Sequence, residues 1–68
     1  MAYGNKGDHD HAIDDFTQAI KLNPQFMKVY YYRGLAYKFK GDNNSALEDI
    51  RKACSMGFDL ACQALSGN

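Results

Sequence analysis

The side chains best suited to chemistry are the four consecutive titratable groups Asp8, His9, Asp10 and His11, with Cys54 and Cys62 far along the chain. Imidazole and carboxylate groups bind transition metals and act as general acids and bases. Their spacing works against a site. On a helix, residues two apart point about 200° from each other, so His9 and His11 cannot reach one ion from one face. His11 and Asp15 do share a face, but nothing nearby supplies a third ligand. The cysteines lack the histidine cluster that would complete the usual four ligands of a structural zinc site. The run therefore reads as the solvated start of a helix, its acidic groups favoured by the helix dipole. No nucleophile stands beside a base at a recognisable spacing, and no glycine-rich phosphate loop is present. No enzyme, metal or cofactor is expected. Each cysteine lies among apolar neighbours, so both are expected as reduced thiols serving as small hydrophobes, with a structural disulfide as the alternative.

The elements that would position any site must fit in 68 residues. A domain of that size buries only about 60% of the surface its unfolded chain exposes, so support from a partner is expected. Eight basic residues balance eight acidic ones. That balance leaves no global field to attract nucleic acid or an anionic membrane, and neither is expected as a partner. The first residues lack the charged-then-apolar layout of a leader, and no apolar run approaches the ~20 residues that cross a bilayer. The cytoplasm is the default compartment.

The chain repeats itself. Shifted by thirty-four positions, it aligns Ala2 with Ala36, Tyr3 with Tyr37, Lys6-Gly7-Asp8 with Lys40-Gly41-Asp42, Ala12 with Ala46, Asp15 with Asp49 and Ala19 with Ala53. Ile13 over Leu47, Phe16 over Ile50 and Leu22 over Met56 are conservative pairs. In both copies Gly-Asp ends one helix and offers an N-cap for the next. From Asp8, the residues Ala12, Phe16, Ala19 and Ile20 form one helical face, which ends near Leu22 before Asn23-Pro24. From Asp42 the same face is Ala46, Ile50, Ala53 and Cys54, ending near Met56 with Gly57 as C-cap. Glu48 and Lys52, four apart, support the exposed side.

Between them, Phe26 to Lys40 predicts a helix with two stripes, one of Tyr30, Arg33, Gly34 and Tyr37, the other of Lys28, Tyr31, Tyr32, Leu35, Lys38 and Phe39. Gly34 in mid-helix costs roughly 1 kcal/mol against alanine, which points to a close helix-helix approach. A short last helix from about Asp59 to Ser66, capped by Asp59 and followed by Gly67, turns Leu60, Ala61, Ala64 and Leu65 inward.

A helix-turn-helix unit with a period of thirty-four residues resembles the tetratricopeptide repeat. The second copy carries that family's pattern as Tyr30, Arg33-Gly34, Tyr37, Ala46 and Ile50, the first as Tyr3, Ala12, Phe16 and Pro24. Arg33 stands where leucine is usual and Phe58 where proline is usual. The resemblance implies an all-α, helix-turn-helix solenoid fragment: a partial first repeat over 1–24, a second repeat over 25–58, and a capping helix and tail over 59–68. It also implies a non-catalytic protein-protein interaction module. In this family the first helix of each repeat lines a concave groove, so Lys28, Tyr31, Leu35, Lys38 and Phe39 would face a peptide or partner helix, with Tyr32 on the same stripe. Lysines among aromatics suit a ligand with carboxylates and apolar side chains. Members that hold the tails of heat-shock chaperones use a clamp of Lys, Asn and Arg. Lys28 falls at a clamp position but Tyr31, Tyr32 and Leu35 do not fit, which disfavours that ligand. Aromatic stripes also serve as packing, so the competing reading is a self-assembling element that uses the stripe in its own oligomer. Ile13, Phe16 and Ile20 are the expected self-association residues of a homodimer or small closed oligomer, because the stub from Met1 to Lys6 is too short to cover them.

Overall fold

The computed structural model describes residues 6–66, and these form four helices. Helix α1 spans Lys6–Leu22, α2 Met27–Lys40, α3 Asn43–Ser55 and α4 Asp59–Leu65. The all-α helix-turn-helix repeat arrangement is as expected. The stub before Lys6 and Gly67 lie outside the described residues, as does the side chain of Asp8.

The breaks between helices follow from local chemistry. After α1, the Asn23 side chain accepts a hydrogen bond from the Gln25 backbone N–H at 3.2 Å, and Pro24 cannot continue the helix. Helix α2 ends at Gly41, whose φ of 99° is open to glycine and strained for other residues. The turn it makes lets the Gly41 and Asp42 N–H groups donate back to Lys38 and Tyr37 carbonyls at 3.0 and 2.9 Å. Asp42 then caps α3 by accepting from the Ser45 N–H at 3.3 Å. Gly57 repeats the device at the end of α3, with φ 104° and the Phe58 N–H donating to Ala53 O at 3.0 Å.

Two caps differ from expectation. Helix α1 already runs from Lys6, so Asp8 lies inside its first turn and does not cap it. Helix α4 is preceded by Phe58 with no side-chain cap, so Asp59 is its first helical residue. There it still meets the positive end of the dipole. Glu48 and Lys52 do not come within ion-pair distance; among the described residues the ion pairs are Arg33–Asp49 and Asp10–Lys40.

Small residues let the helices approach closely. Val29 and Ala36 of α2, Ala46, Ile50 and Ala53 of α3, and Ala61 of α4 are buried. Tyr30, Tyr31, Phe58 and Leu65 pack around Ile50, Ala53 and Ala61. Gly34 is the tightest point: a Cβ there would stand 2.7 Å from Ile50 Cγ1 and 3.1 Å from the Ala46 carbonyl oxygen, so only glycine fits without a shift.

The cysteines depart from expectation. Cys54 and Cys62 are joined by a disulfide, their Cα atoms 4.7 Å apart. The Gly57 turn reverses the chain and lays the middle of α4 beside the last turn of α3, a juxtaposition that residue spacing alone does not reveal.

Candidate functional site

Helix α2 carries the stripe and lies between α1 and the α3–α4 pair. The stripe divides between these neighbours. Tyr31, half-buried, meets Phe58 edge-on with ring centroids 5.2 Å apart, so Phe58 serves here as the aromatic floor under Tyr31. Tyr32 leans toward α1, its ring 6.1 Å from that of Phe16 and 6.0 Å from Tyr31. Phe39 is 70% exposed and stacks on His9 at 5.8 Å. Lys28 and Lys38 are exposed and Leu35 is half-buried. Thus Tyr31, Leu35 and Lys38 border α4, while Tyr32 and Phe39 border α1.

Two hollows open on the α4 side. One, of about 440 Å³, is lined by Tyr31 with Leu60, Gln63, Ala64 and Ser66. The other, of about 240 Å³ and more apolar, lies between Leu35 and Lys38 of α2, Leu47 and Ile50 of α3, and Ala64 and Leu65 of α4. Helix α2 contains no acidic residue. Its Lys40 pairs with Asp10 at 2.6 Å, whereas Lys28 and Lys38 have no carboxylate partner among the described residues. The hydrogen bond that Lys40 donates holds Asp10 below the ordinary carboxylate range, and the same bond raises Lys40 in turn.

The titratable run at the start of α1 is dispersed by the same contacts. His9 lies against Phe39, Asp10 against Lys40, and His11 points to solvent. Among the described residues no group of histidine, cysteine, aspartate or glutamate could hold a metal ion.

What braces the site is Arg33, on the stripe of Tyr30, Gly34 and Tyr37 and at the place where the family's pattern has leucine. Its Nε and Nη2 donate to Asp49 Oδ2 and Oδ1 at 2.7 and 2.8 Å, a bidentate pair from α2 to α3. Its Nη1 donates to Thr17 Oγ1 of α1 at 3.2 Å. The guanidinium also lies 5.7 Å from the centroid of Tyr30 and 5.9 Å from that of Tyr37. The Asp49 hydrogen bond raises the Arg33 pKa against the desolvation that would lower it. One signal was present in the sequence: Asp49 lies at i+3 from Ala46 and just before Ile50, on a face otherwise turned inward.

This geometry is that of stacked helical hairpins presenting the first helix of a hairpin, and comparison with known proteins agrees. A family model described as "TPR repeat" matches residues 2–41, and one described as "Tetratricopeptide repeat" matches residues 28–56. The chain belongs to the tetratricopeptide repeat family. It is 31% identical over 61 residues to Photosystem I assembly protein Ycf3 of Acaryochloris marina, an alignment covering 90% of this chain and 36% of that protein. It is 34% identical over 68 residues to Tetratricopeptide repeat protein 36 of Danio rerio, covering 96% of this chain and 36% of the other. With the Tetratricopeptide repeat and J domain-containing co-chaperone DNJ1 of Cryptococcus neoformans it shares 31% identity over 65 residues, 96% of this chain and 12% of that one. The chain thus spans about a third or less of the length of these relatives. No solved structure gives a significant match. As a tetratricopeptide repeat, the chain is a non-catalytic protein-protein interaction module. No described helix is long and apolar enough to cross a membrane.

Proposed function

We propose that the α2 face formed by Lys28, Tyr31, Tyr32, Leu35, Lys38 and Phe39 binds an extended peptide or partner helix bearing carboxylates and apolar side chains. The observation that carries this reading is the pair of unpartnered lysines beside exposed aromatic surface and the Leu35–Leu65 hollow. The aromatics and hollow favour apolar side chains, while Lys28 and Lys38 select carboxylates and repel basic segments. The module is an adaptor that recognises protein and not nucleic acid, working in the cytosol. Two relatives have "assembly protein" and "co-chaperone" in their names, which fits an adaptor role. The clamp mismatches at Tyr31, Tyr32 and Leu35 still argue against a chaperone tail as its ligand.

A labelled octapeptide carrying two glutamates around a leucine pair, with a lysine-for-glutamate counterpart as control, tests the reading. Lys28→Glu/Lys38→Glu should weaken binding of the acidic peptide about tenfold or more with an unchanged melting temperature. Equal binding of both peptides by the wild type would overturn it.

One observation favours self-assembly as a second reading. Ile13, Phe16 and Ile20 are only half-buried on α1, and no described side chain of that helix is fully buried. A second chain laid on this face would complete its cover and give a homodimer or small closed oligomer.

A further inference from the structure

The seven residues of α4 make a helix about 10 Å long, too short to persist in isolation. Its hold on the body is slight. Ala61 is fully buried and Leu65 packs against the same cluster, but among the described residues the polar side-chain contact from α4 to α3 is that of Cys62 itself, whose Sγ lies 3.6 Å from the Cys54 carbonyl oxygen, and no ion pair links α4 to α2 or α3. The strongest link is the Cys54–Cys62 disulfide, placed across the Gly57 turn. Yet α4 supplies a wall of both hollows, through Leu60, Gln63 and Ala64 beside Tyr31 and through Ala64 and Leu65 beside Leu35.

We propose that the Cys54–Cys62 pair is a redox latch that fixes α4 against α2 and α3 and so sets the shape of the Tyr31–Leu35 face. The consequence for ligand binding rests on the function proposed above; the release of the helix does not. The co-reactant is a dithiol. Its thiolate attacks one cysteine sulfur, the S–S bond breaks, and the other cysteine leaves as a thiolate that takes up a proton. The second thiol of the reductant, deprotonated, then displaces the first cysteine, which is protonated in turn. Two electrons pass to the protein, two cysteine thiols form, and the dithiol ends as a disulfide. Both cysteines are half-buried, so neither is sealed from such a reagent. With the bond broken, a helix held by little more than one alanine and one leucine loses its order, and the walls of both hollows go with it. In a reducing compartment the bond forms only under oxidation, so oxidation completes the face.

Amide hydrogen exchange distinguishes a latch from a general staple. The oxidised protein is compared with the protein in dithiothreitol and with Cys54→Ser/Cys62→Ser; should the serine pair not fold, Cys54→Ala/Cys62→Ala takes its place. Exchange at Ala61 to Leu65 should accelerate about tenfold or more on reduction, while Val29 to Ala36 and Ala46 to Ala53 change by less than about twofold. Unchanged exchange in α4, or equal acceleration of all helices, would overturn the latch. The acidic octapeptide is then titrated into both forms, and weaker binding by the reduced form is the expected result. If it binds neither form, the reading of the α2 face falls and exchange alone judges the latch. Equal binding by both forms, with α4 released, would overturn the link between latch and face.

Discussion

Ala12, Asp15, Phe16 and Ala19 of α1 occupy the positions that Ala46, Asp49, Ile50 and Ala53 occupy in α3, three of the four pairs being identical residues. In α3 these residues are 3%, 6%, 6% and 0% exposed. In α1 the two alanines and Phe16 are half-buried and Asp15 faces solvent. The difference lies in the neighbours. Helix α3 packs antiparallel to α2 across Gly34 and also meets α4, whereas α1 packs chiefly on α2 among the described helices. The same sequence phrase becomes core in one place and surface in the other, because burial belongs to the arrangement of helices and not to the phrase.

The largest effect should come from the matched aspartates. Asp49→Ala leaves the Arg33 guanidinium without its bidentate acceptor and should cost about 2–3 kcal/mol in urea denaturation, the figure reduced for the residual exposure of Arg33. Asp15→Ala should stay within about 0.5 kcal/mol. Comparable losses would mean that the burial difference has no energetic weight.

Next comes the contact that makes α2 and α3 a pair. Gly34→Leu should destabilise by about 1–3 kcal/mol through overpacking against Ile50 and the Ala46 carbonyl, although leucine is the better helix former. A gain in stability would show that the two helices can move apart freely.

The half-covered face of α1 gives the third test. If a second chain covers it, sedimentation should show a closed oligomer at micromolar concentration and a melting temperature that rises with concentration, and Phe16→Asp should weaken association about tenfold or more. A monomer with a melting temperature independent of concentration would leave the α2 face as the sole binding surface.

The smallest effect concerns the exposed Asp10–Lys40 contact between α1 and α2. Because Asp10 is depressed in the folded state, its contribution is present above the ordinary carboxylate range and fades as pH falls through the depressed value. Lys40 is raised, so its share fades as pH rises through the raised lysine value. In an NMR titration Lys40→Met should return Asp10 to the ordinary carboxylate range while leaving Asp49–Arg33 and the fold unchanged. An unmoved Asp10 would remove this contact as a tie between α1 and α2.

Much of the fold was legible because it depends on local rules. Periods near 3.6, the Gly41 and Gly57 turns and the Asp42 cap each involve residues within a few positions, and Gly34 marked a close approach by its unfavourable propensity. The bounds of α1 and α4 were less legible, since capping by Asp8 and Asp59 depends on where the helix begins. The lysine and aromatic stripe could be assigned to one helix from its spacing. Its division between an α1 flank and an α4 flank could not, because that depends on which neighbour each side chain meets. Arg33 looked like a defect in the family pattern until Asp49, sixteen residues away, came within 2.7 Å of it.

By itself the sequence determined a helical chain with a thirty-four-residue repeat, because backbone hydrogen bonding, capping and turn chemistry act over one or two turns. The tertiary structure alone decided which copy of the phrase is buried, that Arg33 ties three helices, and that Cys54 meets Cys62. Each of these requires side chains from separate helices within a few ångströms, and such contacts follow from helix packing geometry, which no spacing along one helix encodes.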